Sequence, residues 1–448
     1  MKNSEKAVIL KNYCFFADMM IRCIYKNTIM EEREGNMDYN RIVEGILDIG
    51  EAMLKSGAEN FRLEDGLYRM LKSYGFTRYD VFVIPSNIQV TVKTPEGEFI
   101  TQIRHIESWE MDGDRLDYLN NLSRYVCEHK PDEQKLKEKF QEVMNRKQQH
   151  PAVRYLAGVM GGTGFAVFFG SNFQDAVLAV LVSLMIVFVG NWLSKREGNL
   201  LIYNLILAFL AEVIIIEAAK YGIVQHPDRI MIGIVMLLIS ALGTTNGIRE
   251  LLQRDFISGS INIMNSLLGA AGIAFGIALA MLFLESLPKE EGFILNASVP
   301  IQLISCTIAC TGFAMWFKVR GKQVLYSSVG AFFTWGIYVV VFEIKPSNFV
   351  ATLAAAVFVG LYAFIMSRIN KAPSTIFLTA SVFPLIPGPN LYYMMYGGVS
   401  NDMNMAIEEA IVLFTTCLAI ALGFNIVDVV SRSVMNMRRK GQQTGRDS

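Results

Sequence analysis

The sequence predicts a polytopic α-helical membrane protein with about ten membrane helices, in two five-helix halves related as an inverted repeat, plus a small N-terminal cytoplasmic α+β domain. Three observations carry this reading. The chain has 448 residues, 52% hydrophobic and 18% charged, but the apolar excess is unevenly spread. Up to about His150 the chain is rich in Glu, Lys, Arg and Asp, whereas Pro151 to Val430 is a series of apolar runs with short polar joints. Runs of ~20 apolar residues match a hydrocarbon core of ~30 Å. Basic residues then recur at alternate joints, and two of the runs are interrupted at corresponding positions. The expected organisation is a poorly defined leader at 1–36, the α+β domain at 37–150, membrane halves at 151–285 and 293–430, and a basic tail at 431–448.

In the N-terminal domain, Ile42, Ile46, Ile49 and Met53 recur at helical spacing over Tyr39–Lys55, and Gly57 is suited to the stop. A second helix carries Leu63, Leu67, Met70 and Leu71 on one face and ends near Gly75. Val81–Ile84 and Gln89–Val92 alternate as strands across Pro85-Ser86-Asn87, and Phe99–His105 completes a hairpin after Pro95-Glu96-Gly97. Helices resume at Asp114–His129 and Asp132–Arg146. No cleavable signal peptide is evident, because Lys11, Asn12, Asp18 and Arg22 interrupt the early apolar stretch, and Met37 also fits as a start.

The first five spans are expected near Ala152–Gly170, Gln174–Leu193, Asn199–Ala219, Ile230–Leu242 and Ile261–Leu284. The next five are expected near Phe293–Phe317, Val324–Phe342, Phe349–Met366, Ser374–Tyr396 and Ala406–Val430. Lys195 and Arg196, Arg249 and Arg254, Lys318, Arg320 and Lys322, and Arg368 and Lys371 follow the even-numbered spans, and the tail holds Arg432, Arg438, Arg439 and Lys440. The positive-inside rule therefore places both termini in the cytoplasm. Five is odd, so the second half enters the membrane from the opposite side, and a shared fold would make the halves an inverted repeat. The fourth span of the first half is interrupted at Leu242-Gly243-Thr244-Thr245-Asn246-Gly247, and that of the second at Pro384-Leu385-Ile386-Pro387-Gly388-Pro389-Asn390. Broken backbone survives at membrane depth only where protein or an aqueous cavity covers it, and such breaks mark transporter binding sites.

Candidate residues follow from that geometry. Thr244, Thr245, Asn246, Arg249, Pro384, Pro387, Gly388 and Asn390 flank the breaks and are the expected substrate-binding set. Exposed amides and carbonyls at half-helix ends suit a zwitterion, and Arg249 suits either a substrate carboxylate or a membrane-surface anchor. Glu212, mid-way along the third span, is the expected ion-coupling group, with an ion pair to Arg249 as the structural alternative. Asp428 and Glu408–Glu409 read as surface or capping acids, Tyr392 and Tyr393 as a gate or an interfacial belt, and Asn262, Asn265 and Asn425 as interhelical glue. In the N-terminal domain Gly57, Glu59, Arg62 and Glu64 form a notable cluster. Glu59 and Arg62 are spaced to pair on one helix, as a ligand site or as a surface ion pair at a helix start.

Net charge +0 and scattered cysteines and histidines point to no nucleic-acid partner, no metal and no cofactor. No nucleotide-binding loop or nucleophile–base pair accompanies the spans, which argues against an ATP-driven pump or an enzyme. The expected partners are a small-molecule substrate and the lipid bilayer, with a homo-oligomer left open. An exporter, a membrane-anchored enzyme acting through the N-terminal domain, and a channel or sensor are the competing readings.

Three motifs carry a family resemblance. They are Gly57-Ala58-Glu59 with Arg62 and Glu64; Thr245-Asn246-Gly247-Ile248-Arg249-Glu250 followed by Asp255, Ser258 and Gly259; and Ala372-Pro373 with Pro384-Leu385-Ile386-Pro387-Gly388 and Leu391-Tyr392-Tyr393. In this order, from about Met37 to Asp428, the chain resembles the fused form of the bacterial threonine/serine exporter family. The resemblance implies a multi-pass plasma-membrane protein, not an enzyme, that exports threonine, serine or, as in related two-component members, dicarboxylates such as succinate, driven by the proton-motive force. Two departures stand out: Ser240-Ala241-Leu242-Gly243 replaces a proline-glycine break, and Glu250 stands where an aspartate is usual.

Overall fold

The computed structural model describes residues 38–239, 241–284 and 297–444; the side chains of 241, 242, 244 and 432–444 are outside the description. The leader expected at 1–36 lies outside the described residues, as do Ser240 and Lys289.

Helices α1 (Tyr39–Lys55) and α2 (Asn60–Ser73) are joined by Gly57 at φ +86°, a conformation L side chains avoid. Strands β1 (Arg78–Ile84), β2 (Asn87–Lys93) and β3 (Phe99–His105) form an antiparallel sheet in sequence order, with Val81 opposite Val90 and Ile84 opposite Asn87 across a two-residue turn. Helices α3 (Gly113–His129) and α4 (Glu133–Met144) complete this unit, each capped by an aspartate, Asp112 or Asp132. The apolar periodicities converge on one core: Ile42, Ile46, Ile49, Leu63, Leu67, Val83, Ile88, Val90 and Leu119 are all buried. Its α3 start docks on the apolar part of the chain. Gly113 N–H donates to Phe317 O at 2.8 Å, Lys318 pairs with Glu110 at 3.0 Å, and Gln323 donates to Asp117 at 3.0 Å.

The remainder is helical: α5 (Pro151–Phe168), α6 (Phe173–Leu193), α7 (Leu200–Lys220), α8 (Pro227–Leu238), α9 (Ala241–Leu252), α10 (Phe256–Leu284), α11 (Val299–Trp316), α12 (Lys322–Ile344), α13 (Asn348–Asn370), α14 (Ser374–Val382), α15 (Gly388–Val399) and α16 (Met403–Thr444). Among the described residues, seven helices (α6, α7, α10, α11, α12, α13 and α16) are long and apolar enough to cross a membrane. Helix α16 runs past the expected end at Val430 to Thr444, so the tail continues the last helix. Helices α5 and α11 pack backbone to backbone, and a Cβ on Gly312 would lie 2.7 Å from Gly161 N. Small residues let helices approach this closely where no hydrophobic drive separates lipid from protein.

Both expected interruptions are present, one displaced. The first falls at Ile239, extended at φ −72°, ψ 133°, so Thr245, Asn246 and Gly247 lie inside α9 rather than in the break. Those residues are weak helix formers, but packing of α9 against α10 and α16 keeps them helical, and the chain instead turns one helical turn earlier. The second is as expected: a 3-10 turn at Phe383–Leu385, extended Ile386 at φ −70°, ψ 125°, then Pro387 and α15. Pro384 and Pro387 each remove a backbone donor here.

Candidate functional site

A cavity of about 700 Å³ lies between the N-terminal unit and the half-helices α9 and α14. Its wall takes Gly57, Glu59, Asn60, Glu64 and Trp109 from the N-terminal unit, Asn246, Arg249 and Glu250 from α9, Gln253 from the turn after it, Asn262 from α10, and Thr375 and Thr379 from α14. Phe313, Phe317 and Phe383 close its apolar side, with the rings of Phe313 and Phe383 stacked at 3.9 Å.

The cavity is tied together by a charged network. Arg249, 8% exposed, donates through Nε to Asp428 Oδ2 at 3.0 Å and through Nη2 to the same oxygen, and its Nη1 stands 3.3 Å from Glu59 Oε2. Glu59 Oε2 also accepts from Arg62 Nε at 2.9 Å, and its Oε1 accepts from Thr375 at 3.1 Å. One carboxylate at the start of α2 thus bridges α9 and α14. Burial by itself would raise the Glu59 carboxyl; the Arg249 and Arg62 guanidiniums outweigh it and hold the group down to about 2. Beside it, Asn60 Nδ2 donates to Glu250 Oε1 at 3.2 Å and Asn262 Nδ2 to Glu250 Oε2 at 2.7 Å. Glu64 accepts from Val83 N–H at 3.2 Å, fixing α2 to β1, and burial raises its carboxyl.

The expected site residues divide. Gly57, Glu59, Glu64, Asn246 and Arg249 line the cavity, and Arg62 sits at its rim on Glu59. Thr245 is buried in α9, and Pro384 and Pro387 are buried in the break between α14 and α15. Gly388 abuts Met236 of α8. Asn390 instead bonds Glu409 at 2.6 Å, away from the cavity wall. The side chain of Thr244 lies outside the described residues.

Four readings need correction. The Glu59–Arg62 pair is no simple surface ion pair, because Glu59 reaches across to Arg249 and Thr375. Asp428 is not a surface acid but the second partner of Arg249. Glu212 does not pair with Arg249; it is 1% exposed in α7, and its Oε2 has no hydrogen-bond partner. Tyr392 and Tyr393 are buried rather than interfacial, and Tyr393 donates to Asp228 Oδ2 at 2.8 Å. Asp228, Asn60, Gln253, Thr375 and Thr379 were not legible as site residues. Only Asn60, adjacent to the Gly57-Ala58-Glu59 motif, carried a local signal.

Chemically, the cavity offers carboxylates, one deeply held guanidinium, amides and hydroxyls against aromatic walls. Among the described residues no group of three or more His, Cys, Asp and Glu is placed to hold a metal.

A family model described as a threonine/serine exporter (ThrE) matches residues 44–284, and a second, "Threonine/Serine exporter, ThrE", matches residues 302–430. A threonine/serine exporter of Corynebacterium glutamicum is 21% identical over 405 residues, covering 86% of this chain and 81% of that protein. A protein of Mycobacterium tuberculosis named "Probable threonine/serine exporter" is 21% identical over 405 residues, covering 86% of this chain and 75% of that one. No solved structure matches. The first family match spans more than half of the chain, and the second begins beyond the end of α10 and covers most of the rest. The chain therefore belongs to the threonine/serine exporter family, a family of membrane transporters rather than enzymes.

Proposed function

We propose that the protein is a secondary exporter of small polar metabolites, threonine- and serine-type amino acids first, in the bacterial plasma membrane, driven by the proton-motive force. The single observation that carries the reading is the polar cavity bounded by the two inner half-helices α9 and α14. The acidic groups on its wall, Glu59, Glu64, Glu110, Glu250 and Asp255, exceed the basic Arg249 and Arg254, which favours a substrate bearing an ammonium group over a dicarboxylate. Glu250 is placed to receive the ammonium, and Arg249 to receive the carboxylate once Glu59 withdraws.

The inverted repeat is supported by packing that recurs when α5 to α10 are superposed in order on α11 to α16. Neighbours α9–α10 correspond to α15–α16, α7–α10 to α13–α16, α6–α8 to α12–α14, and the cross-half pair α10–α15 to α16–α9. In this arrangement ten segments span the bilayer: the seven long helices, α5, and the two broken pairs α8–α9 and α14–α15. Both termini and the N-terminal unit are cytoplasmic, α9 and α14 form the inner halves, and α8 and α15 pack together as the outer halves. Glu59 then acts as the latch by which the N-terminal domain regulates entry from the cytoplasm.

The test is efflux of labelled threonine, serine or succinate from cells lacking their own exporters, with and without a protonophore, for wild type and Gly388→Leu. A leucine at 388 collides with Met236 between the outer half-helices. Selective efflux of hydroxy amino acids, lost with protonophore and in Gly388→Leu, is the expected result. Efflux that persists with protonophore identifies a channel or facilitator instead.

A further inference from the structure

Among the described residues, two carboxylates in the apolar interior have no cationic partner. Glu212 of α7 is 1% exposed and Asp228 of α8 is 7% exposed. Each has a buried oxygen, Oε2 and Oδ1 respectively, without a hydrogen-bond partner. They lie within electrostatic reach of each other, and Tyr392 of α15 lies within reach of both. Tyr393 of α15 fixes the other oxygen of Asp228 at 2.8 Å. Their surroundings are Ile215, Met231, Ile232 and Val235 in the main apolar core.

Among the described residues, the groups that face this pair supply no positive charge: on α5, packed against α8, Arg154 is engaged with Glu110 at 3.7 Å. Helix α10, packed on α7, contains no titratable residue, and α6 contributes only Asp175, which is occupied by Asn172, Gln225 and His226. Arg229, next to Asp228, donates instead to Gly170 O at 2.6 Å. On α7 itself, Glu217 and Lys220 pair with each other at 3.3 Å. Two buried carboxylates cannot both remain ionised in an apolar interior without a compensating positive charge. An orphaned oxygen on each group is available to take up that charge.

We propose that Glu212 and Asp228, with Asp228 oriented by Tyr393, form a binding site for one monovalent cation, a proton or a sodium ion. The pair stands on the outer side of the broken helices, and Tyr393 links it to α15. Occupation of the site would therefore bias how α8 and α15 pack. A proton bound there transfers from water to a carboxylate oxygen and leaves by the same oxygen, and a sodium ion would be held by the carboxylates and the Tyr393 hydroxyl. The role of this site in export rests on the function proposed above; cation binding itself does not.

The experiment uses purified full-length protein in liposomes, with infrared difference spectroscopy of the protonated-carboxyl C=O stretch during pH and sodium titrations. The expected result is a carboxyl band that grows on acidification, is missing in Glu212→Gln or Asp228→Asn, and is insensitive to sodium. Loss of the band on adding sodium, but not choline, at fixed pH identifies sodium as the cation and also supports the site. A wild-type spectrum with no titrating buried carboxyl, or a band invariant to pH and sodium, overturns it. Those wild-type measurements stand even if a variant fails to fold, which unfolding midpoints reveal. In the same liposomes, gradient-driven threonine accumulation should fall about tenfold or more in the folded variants. A titrating site in protein that moves no threonine would sink the exporter reading and spare the site, and threonine flux with no titrating site would do the reverse.

Discussion

Arg249 Nη1 stands 3.3 Å from Glu59 Oε2, joining the first turn of α2 to the far end of α9. The charge that a substrate carboxylate would seek is therefore already taken by a carboxylate of the protein's own N-terminal unit. In the function proposed above, release of Glu59 from Arg249 would free it.

The first prediction concerns pH. Glu59 is held down to about 2 against an ordinary 4.5. A depressed carboxylate contributes its full stability above 4.5 and loses it as pH falls through about 2. Glu59→Gln should cost about 2 kcal/mol at neutral pH. The gap in unfolding midpoint between wild type and variant should shrink as pH drops from 4.5 towards 2. A gap independent of pH would mean the Glu59 charge is not what holds the two units together.

Glu64 should behave oppositely. Burial raises its carboxyl, so its ionised form destabilises the fold once the pH exceeds the folded-state value. The Val83 amide bond offsets part of that penalty. Glu64→Gln should stabilise the protein slightly at neutral pH and have no effect in acid. Equilibrium unfolding at the two pH values checks the sign.

Arg249→Lys should lower efflux about tenfold or more, because a lysine cannot span Asp428 and Glu59 with a planar fork. A double-mutant cycle between Arg249→Ala and Asp428→Asn should show a coupling of about 1–3 kcal/mol in thermal unfolding. Additive effects would remove the pair from the network.

Helices α9 and α10 touch through Gly247 and Gly259, and a Cβ on Gly259 would sit 2.8 Å from Gly247 O. Gly259→Val should destabilise by about 1–3 kcal/mol. Gly66→Ala, in open space on α2, should be neutral or stabilising by about 1 kcal/mol. Unfolding midpoints of the two variants should diverge.

Local order was legible wherever a short window decides it. The spacing of Ile42, Ile46, Ile49 and Met53 gave α1 with the observed bounds, and Pro384 and Pro387 located the second break, because prolines act on their own backbone. The first break was misplaced because it depends on packing around Ile239, where no proline or glycine marks it. Charge partners were not legible. Asp428 near a helix end looks like any solvated acid until the fold brings Arg249 to it from another half. The same holds for Asp228, which follows Pro227 and reads as an ordinary first-turn acid. Pairings of this kind are set by tertiary contacts across the chain, and no periodicity encodes them.

The half-helices α9 and α14, which the proposed topology puts on the inner side, are short. At 1.5 Å per residue, the 12 residues of α9 reach about 18 Å and the 9 of α14 about 14 Å. Neither alone crosses a hydrocarbon layer of ~30 Å. If water fills the cavity to the breaks, the membrane voltage drops mainly across the thin layer formed by α8 and α15. Each charge crossing the whole potential carries about 2.3 kcal/mol per 100 mV. The geometry would concentrate that work over the short path beside Glu212 and Asp228, where a small displacement of a bound cation would be electrically large.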